Sequence, residues 1–322
     1  MLRTLFRSIK WLLLAAVVVG IGVTVLHIHA DIPLDDLKLK YAPAPSRFIA
    51  MQGMQVHVRD EGLREDSEPV VLLHGTSASL HTWDAWAAGL KKTQRVIRVD
   101  LPGFGLTGPQ PAGDYSIAAY VRFVQGLLAE LKITRCVLVG NSLGGEIAWN
   151  TALASPTLVS RLVLIDSAGY SFTPESIPIG FQIARTPVIN QTMKLITPRF
   201  VIADSVRNVY GEPGLVSEAL IDRYFDLTLR AGNRSALVAR FAQMKKDVGQ
   251  LATNPQRIGQ IKQPTLILWG ARDRLIPPEH GASFRRDIAG SQLVILPKLG
   301  HVPHEEGAVE TLQAFNNFMQ NK

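Results

Sequence analysis

Val137-Leu138-Val139-Gly140-Asn141-Ser142-Leu143-Gly144-Gly145-Glu146-Ile147-Ala148-Trp149 decides how the rest of the chain is read. A short apolar run stops at Gly140, a hydroxyl residue follows two positions on, and two further glycines open a helical pattern. Gly140-Asn141-Ser142-Leu143-Gly144 fits G-x-S-x-G, the pattern of a sharp strand-to-helix turn. The spacing has a steric reason. A turn this tight holds Ser142 in a strained backbone conformation, and small flanking residues let strand and helix close on each other. The Ser142 hydroxyl then stands at a helix N-terminus, where free N–H groups and the dipole favour developing negative charge. A plain glycine-rich turn has the same pentapeptide, so the surrounding chain must decide.

Around this stretch, short apolar runs alternate with helical patterns. Phe48 to Val58 reads as a hairpin around Gly53. Val70–Leu73, Arg95–Val99, Cys136–Val139, Leu162–Ile165, Thr265–Leu268 and Gln292–Leu296 read as strands, with helices such as Ile117–Leu131 between them. Fully apolar strands alternating with helices predict a parallel sheet covered on both faces. Ligands of such sheets sit beyond the carboxyl ends of the strands. Here those ends carry His74-Gly75-Thr76, Asp100-Leu101-Pro102-Gly103-Phe104-Gly105, Ser142, Asp166 and Asp273. The alternation fails only from about 167 to 260, a helical stretch without a clear strand. Its Phe172, Phe181, Ile183, Phe200, Tyr210, Tyr224, Phe225 and Phe241 suit either a core or a lid over an apolar substrate.

A serine hydroxyl needs a base to take its proton. Among eight histidines, His301 directly follows the glycine that ends the last strand loop, on the same sheet edge as Ser142; His304 is the near competitor. His57, His74, His81 and His280 read as structural or surface residues. The base needs a carboxylate to hold its tautomer. Asp273 follows the 265–268 strand and gives the chain order Ser, Asp, His; Asp166, one strand earlier, is the alternative. Asp100, in a Pro/Gly turn, reads as loop-fixing. Two amides must receive the oxyanion, and those of Leu143 and Thr76 are the candidates.

Taken together, His74-Gly75, the 100–105 turn, the Ser142 elbow, Asp273 and Gly300-His301 resemble an α/β-hydrolase-fold serine hydrolase from Phe48 to the C-terminus. The resemblance implies an α/β fold with a mostly parallel central sheet flanked by helices and an inserted helical cap. It divides the chain into a hydrolase core at 48–166 and 261–322 and a cap at 167–260. It implies no metal and no organic cofactor. A serine at the elbow excludes the branches that attack with a carboxylate. The leading expectation is hydrolysis of carboxylic esters with hydrophobic acyl groups, lipids included, through an acyl-enzyme on Ser142. The alternative is carbon–carbon bond hydrolysis of ring-cleavage products, whose elbow is similar, although Val302 stands where those enzymes usually carry an aromatic residue. A non-catalytic hydrolase-fold binding protein is a third reading, which the full set of triad residues disfavours.

The chain begins with Arg3, Arg7 and Lys10, then runs from Trp11 to Leu26 without a charge. Those sixteen residues would make a helix of roughly 24 Å against a hydrocarbon core of ~30 Å; Ile28 and Ala30 extend it to spanning length. Residues 1–30 are therefore expected to be a transmembrane anchor with its N-terminus in the cytoplasm, 31–47 a Pro-punctuated linker, and the catalytic body exported. Cleavage as a signal peptide, leaving a secreted or periplasmic body, is the competing expectation. The net charge of +7 is spread without a dense basic run, so nucleic-acid binding is not indicated. The single cysteine, Cys136, excludes an internal disulfide and reads as a buried thiol. Oligomeric state is not encoded in any of these patterns.

Overall fold

Each of the apolar runs becomes a strand in the computed structural model, which describes residues 10, 11, 14, 28–171, 173–247 and 253–320. The strands are β1 Ser46–Met51, β2 Met54–Gly62, β3 Val70–Leu73, β4 Arg95–Val99, β5 Cys136–Asn141, β6 Val159–Ile165, β7 Thr265–Gly270 and β8 Gln292–Leu296. They form one sheet in the order β1-β2-β4-β3-β5-β6-β7-β8. β1 and β2 are antiparallel, as are β2 and β4; every other neighbouring pair is parallel. The fold is α/β-hydrolase, a mostly parallel sheet with helices on both faces.

Side-chain alternation splits the core into two layers. Val71, Leu73, Ile97, Leu138, Leu164 and Ile267 point to one face. They pack there against Phe123 and Leu127 of α3 (Ile117–Glu130), and Ile147 and Trp149 of α4 (Leu143–Ala154). Val70, Leu72, Val139, Val163 and Leu268 point to the other. They meet Trp86 of α2 (Asp84–Leu90) and Phe315 of the C-terminal helix Ala308–Gln320. Burial on both sides explains why β3, β5 and β7 read as unbroken apolar runs. Cys136 is buried in β5, and burial pushes its thiol up to about 12.

Between β6 and β7 the chain leaves the sheet. There it forms α5 Ile179–Arg185, α6 Ile189–Thr192, α7 Arg199–Val209, α8 Glu218–Thr228, α9 Asn233–Asp247 and α10 Asn254–Ile258. Ser217 caps α8, its hydroxyl accepting from Leu220 N at 3.2 Å. Ile202, Val206, Tyr210 and Ile221 pack around Val302, which joins this helical layer to the loop after β8. The aromatic residues divide between the two expected uses: Phe241 is core, Phe181 and Tyr224 line a cavity, and Phe200 faces solvent at 55% exposure. Phe172 lies outside the described residues.

Two expectations for the N-terminal region change. The stretch expected to be a linker contains α1, Leu34–Tyr41, whose Leu37 and Tyr41 bury against Leu106 and Leu227. The membrane-anchored, exported placement is also set aside. Among the described residues no helix is long and apolar enough to cross a membrane. Most of the expected span at 11–26 lies outside the described residues. Where description resumes, Ile28 bridges Ile196, His29 N donates to Leu195 O at 3.1 Å and Asp31 pairs with Arg234 at 2.6 Å. Residues 28–31 thus belong to the folded body. A charge-free run somewhat shorter than a bilayer was too weak a basis for placing the chain in a membrane.

Backbone packs closely on backbone at the elbow. A Cβ on Gly144 would sit 2.2 Å from Leu73 O, and one on Gly140 would sit 2.1 Å from Gly144 O. Both obstacles are backbone atoms, which cannot rotate away. Gly144→Ala is therefore expected to destabilise the fold by about 3 kcal/mol, the upper part of the range for overpacking. A urea unfolding midpoint equal to that of the parent protein would show the strand–helix contact to be looser than described.

Candidate active site

Ser142 adopts φ 54° and ψ −116° between β5 and α4, a strained backbone for a residue with a side chain. Main-chain bonds hold it there: its N–H donates to Ile165 O at 3.0 Å, and its carbonyl accepts from Glu146 N at 3.0 Å and Ala168 N at 3.2 Å. Leu143 is the first residue of α4, so its amide has no intrahelical acceptor. The 74–76 segment lies alongside; a Cβ on Gly75 would meet Ser142 Cβ at 3.1 Å. Thr76 and Ser142 border the same cavity. A hydroxyl with one amide following it and a second segment beside it is the arrangement an oxyanion requires.

His301 borders that cavity too. Its Nδ1 lies 2.7 Å from Asp273 Oδ2, and both side chains are buried. An ionised carboxylate only accepts, so Nδ1 carries the hydrogen and Nε2 keeps a lone pair for a proton. Asp273 is fixed by its own loop, Oδ1 accepting from Leu275 N at 2.8 Å and Ile276 N at 3.0 Å. Close glycines bring the two loops together: a Cβ on Gly270 would lie 2.0 Å from Gly300 O. Asp166, the alternative acid, is bonded elsewhere, Oδ1 accepting from Gly270 N at 3.0 Å.

His304, His74 and His57 are engaged structurally. His304 Nε2 sits 3.0 Å from Thr82 Oγ1 and its ring packs against Trp83; burial, then the nearby His301, hold its imidazole well below its usual range. His74 Nδ1 donates to Gly75 O at 2.7 Å while Nε2 accepts from Leu101 N at 2.9 Å, which makes it a neutral brace between two strand-end loops. Asp100 accepts from Leu80 N, Leu106 N and His57 Nδ1, all within 2.8 Å. Burial opposes its ionisation, but His57 and the neighbouring histidines prevail and hold it well below the usual carboxylate range.

Two residues that position His301 were missed in the sequence. Asn141 Nδ2 donates to His301 O at 2.9 Å and to Ile165 O at 3.2 Å, tying the elbow to the histidine loop. Glu306 accepts from Gly300 N at 2.8 Å and Gly211 N at 3.0 Å, and His301 N donates to Val209 O at 2.8 Å. Asn141 lies inside the motif itself. Its neighbour Ser142 drew the reading because an amide side chain has no chemistry of its own to signal.

The cavity encloses about 720 Å³ of space, part of it continuous with solvent. Phe181, Met193, Ile202, Val206, Leu237 and Val302 are among the apolar residues of its wall, and no Lys or Arg among the described residues lines it. Tyr224 reaches it with a hydroxyl that donates to Glu305 at 2.9 Å; burial, then the Glu305 charge, push that phenol well above its usual range. Among the described residues one group of ligand-type side chains is close enough to hold a metal ion, Asp166, Asp273 and His301. Of these, His301 Nδ1 and Asp273 Oδ2 are already bonded to each other.

The fold and this site define a hydrolase. The alpha/beta hydrolase fold family matches residues 68–308, and the chain belongs to it. It is 30% identical over 281 residues to 2-hydroxy-6-oxo-2,4-heptadienoate hydrolase of Pseudomonas putida, covering 85% of this chain and 95% of that one. Among solved structures, a variant of the meta-cleavage product hydrolase CumD superposes with a TM-score of 0.73 at 23% identity, covering 86% of this chain and 98% of that one. A membrane phospholipase A superposes with a TM-score of 0.71 at 24% identity, covering 99% and 98%. At those identities the structures speak for the fold alone. The relatives' names overturn the expectation of carboxylic ester hydrolysis and favour the carbon–carbon reading. Triad spacing is common to both chemistries, so it does not discriminate between them.

Ser142→Ala is expected to abolish labelling by a fluorophosphonate probe and to lower kcat by about 10⁴-fold or more. Labelling that persists in this variant would place the reactive hydroxyl elsewhere. Asn141→Ala should leave the fold intact and lower kcat by roughly 10- to 100-fold, since a small misplacement of the imidazole is costly. Unchanged kcat would reduce Asn141 to a bystander.

Proposed function

We propose that the protein hydrolyses a carbon–carbon bond in a 2-hydroxy-6-oxo-dienoate carrying an apolar group on its 6-carbonyl. The reading is carried by the activity named for the relative of 30% identity, 95% of whose length is matched. The arrangement of Ser142, His301 and Asp273 supplies suitable chemistry. In the 2-oxo tautomer the Ser142 oxygen adds to C6 while His301 Nε2 takes its proton, and the Thr76 and Leu143 amides receive the oxyanion. Collapse breaks the C5–C6 bond. Its electron pair leaves as a carbanion conjugated through C3=C4 to the 2-carbonyl, and the imidazolium of His301 protonates it. Water activated by the same imidazole then releases the C6 acid from Ser142. The net reaction places one water across the broken bond.

The cavity wall supports the choice of an apolar 6-substituent. A carboxylate buried there would face no cation and lose its hydration, a cost that would oppose binding. The substituent on C6 accordingly fills the apolar interior and the carboxylate end points to the mouth. Turnover of 6-phenyl and 6-methyl dienoates, followed by loss of dienolate absorbance, tests this. The 6-phenyl compound should show kcat/KM about tenfold or more above the 6-methyl compound, because the ring buries more apolar surface. A protein that is labelled at Ser142 yet turns over neither compound would overturn the proposal.

A further inference from the structure

Asp166 is a buried carboxyl that the mechanism above does not use. It directly follows β6 at φ +43°, a left-handed conformation that Asp and Asn tolerate better than most residues. Its side chain is fully buried, its N–H donates to Leu268 O at 3.0 Å, and Oδ1 accepts from Gly270 N. No donor faces Oδ2. Within 4.8 Å, however, lie atoms of Asp273 and His301. Glu306 adds a further negative charge nearby, and among the described residues no Lys or Arg pairs with Asp166.

Two buried carboxyls this close, with no cation between them, cannot both stay ionised at ordinary cost. The count of donors decides which one keeps a proton. Asp273 accepts three hydrogen bonds, from His301 Nδ1, Leu275 N and Ile276 N; Asp166 accepts one, from Gly270 N. We propose that Asp166 keeps its proton on Oδ2 and donates it to Asp273, acting as a positioning residue that moderates how strongly Asp273 stabilises the His301 imidazolium. Burial and then the Asp273 charge push the Asp166 carboxyl well above its usual range, in the same sense. The chain of hydrogen bonds then runs Asp166, Asp273, His301, with Nε2 facing the cavity. It holds whichever bond Ser142 attacks, so it does not depend on the carbon–carbon reading.

The sign of the effect follows from the donated proton. A neutral donor on Asp273 disperses its charge, so removing the donor leaves Asp273 more negative and the imidazolium more stable. Were Asp166 ionised instead, removing it would take away a negative charge and make the imidazolium less stable. Asn at this position keeps an oxygen for Gly270 N and offers an N–H to Asp273, whereas Gly accepts the positive φ but offers neither.

The test is the rate of fluorophosphonate labelling of the full-length protein against pH, which reads His301 without requiring the natural substrate. Asp166→Asn should label within about threefold of the parent with its acid limb in the same place. Asp166→Gly should shift that limb upward by about half to one pH unit. Infrared difference spectra at neutral pH should show a protonated-carboxyl band in the parent that both variants lack. An acid limb that moves down in Asp166→Asn, or no such band in the parent, would overturn the proposal. So would an Asp166→Gly profile that overlays the parent. If Asp166→Gly does not fold, Asp166→Asn and the infrared band decide. A parent protein that is not labelled at all would remove the site itself, and this role with it.

Discussion

Backbone-to-backbone approach at the carboxyl edge of the sheet is the constraint on which the rest depends. Gly144 rides over the end of β3, Gly140 faces Gly144 across the elbow, and Gly270 meets Gly300 between the last two strand-end loops. At each contact a methyl group would overlap a carbonyl oxygen. These approaches draw the Ser142, Asp273 and His301 segments onto one rim. They also leave the elbow serine no relaxed conformation, so its strain is held by main-chain bonds to Ile165, Glu146 and Ala168.

Around that rim several buried polar side chains are tied to backbone. His74 braces two loops as a neutral ring, Asp100 gathers two amides and an imidazole, and Asn141 and Glu306 hold the loop that carries His301. Such ties keep the imidazole from wandering when the cavity is empty. They also leave the His301 imidazole bordering the apolar space. The helical layer between β6 and β7 completes this by supplying an uncharged wall, and Val302 packs into that layer directly after the histidine. The cavity wall and the seat of the His301 imidazole are thus one piece of packing.

The strands were legible because both faces of the sheet are covered, which writes them as continuous apolar runs; even β7, far along the chain, reads clearly. The Ser142 turn was legible because its glycines are demanded by sterics. Harder to see were α1, hidden among prolines, and Asn141 and Glu306, whose roles consist of hydrogen bonds to distant amides. Such partners lie up to 160 residues apart and leave no local period. The choice between ester and carbon–carbon bond was not legible either, because one triad serves both.

The sequence by itself determined the alternation of strands and helices, the elbow, and the short set of residues able to act as nucleophile, base and acid. Local sterics and side-chain period are enough for those. Tertiary structure alone decided which acid holds the imidazole, since Asp166 and Asp273 both stand at strand ends. Only the loop geometry turns Asp273 to His301 Nδ1 and leaves Asp166 behind it with a single amide donor. It also decided the apolar, cation-free wall of the cavity, because those side chains come together only when the helical layer folds over the sheet.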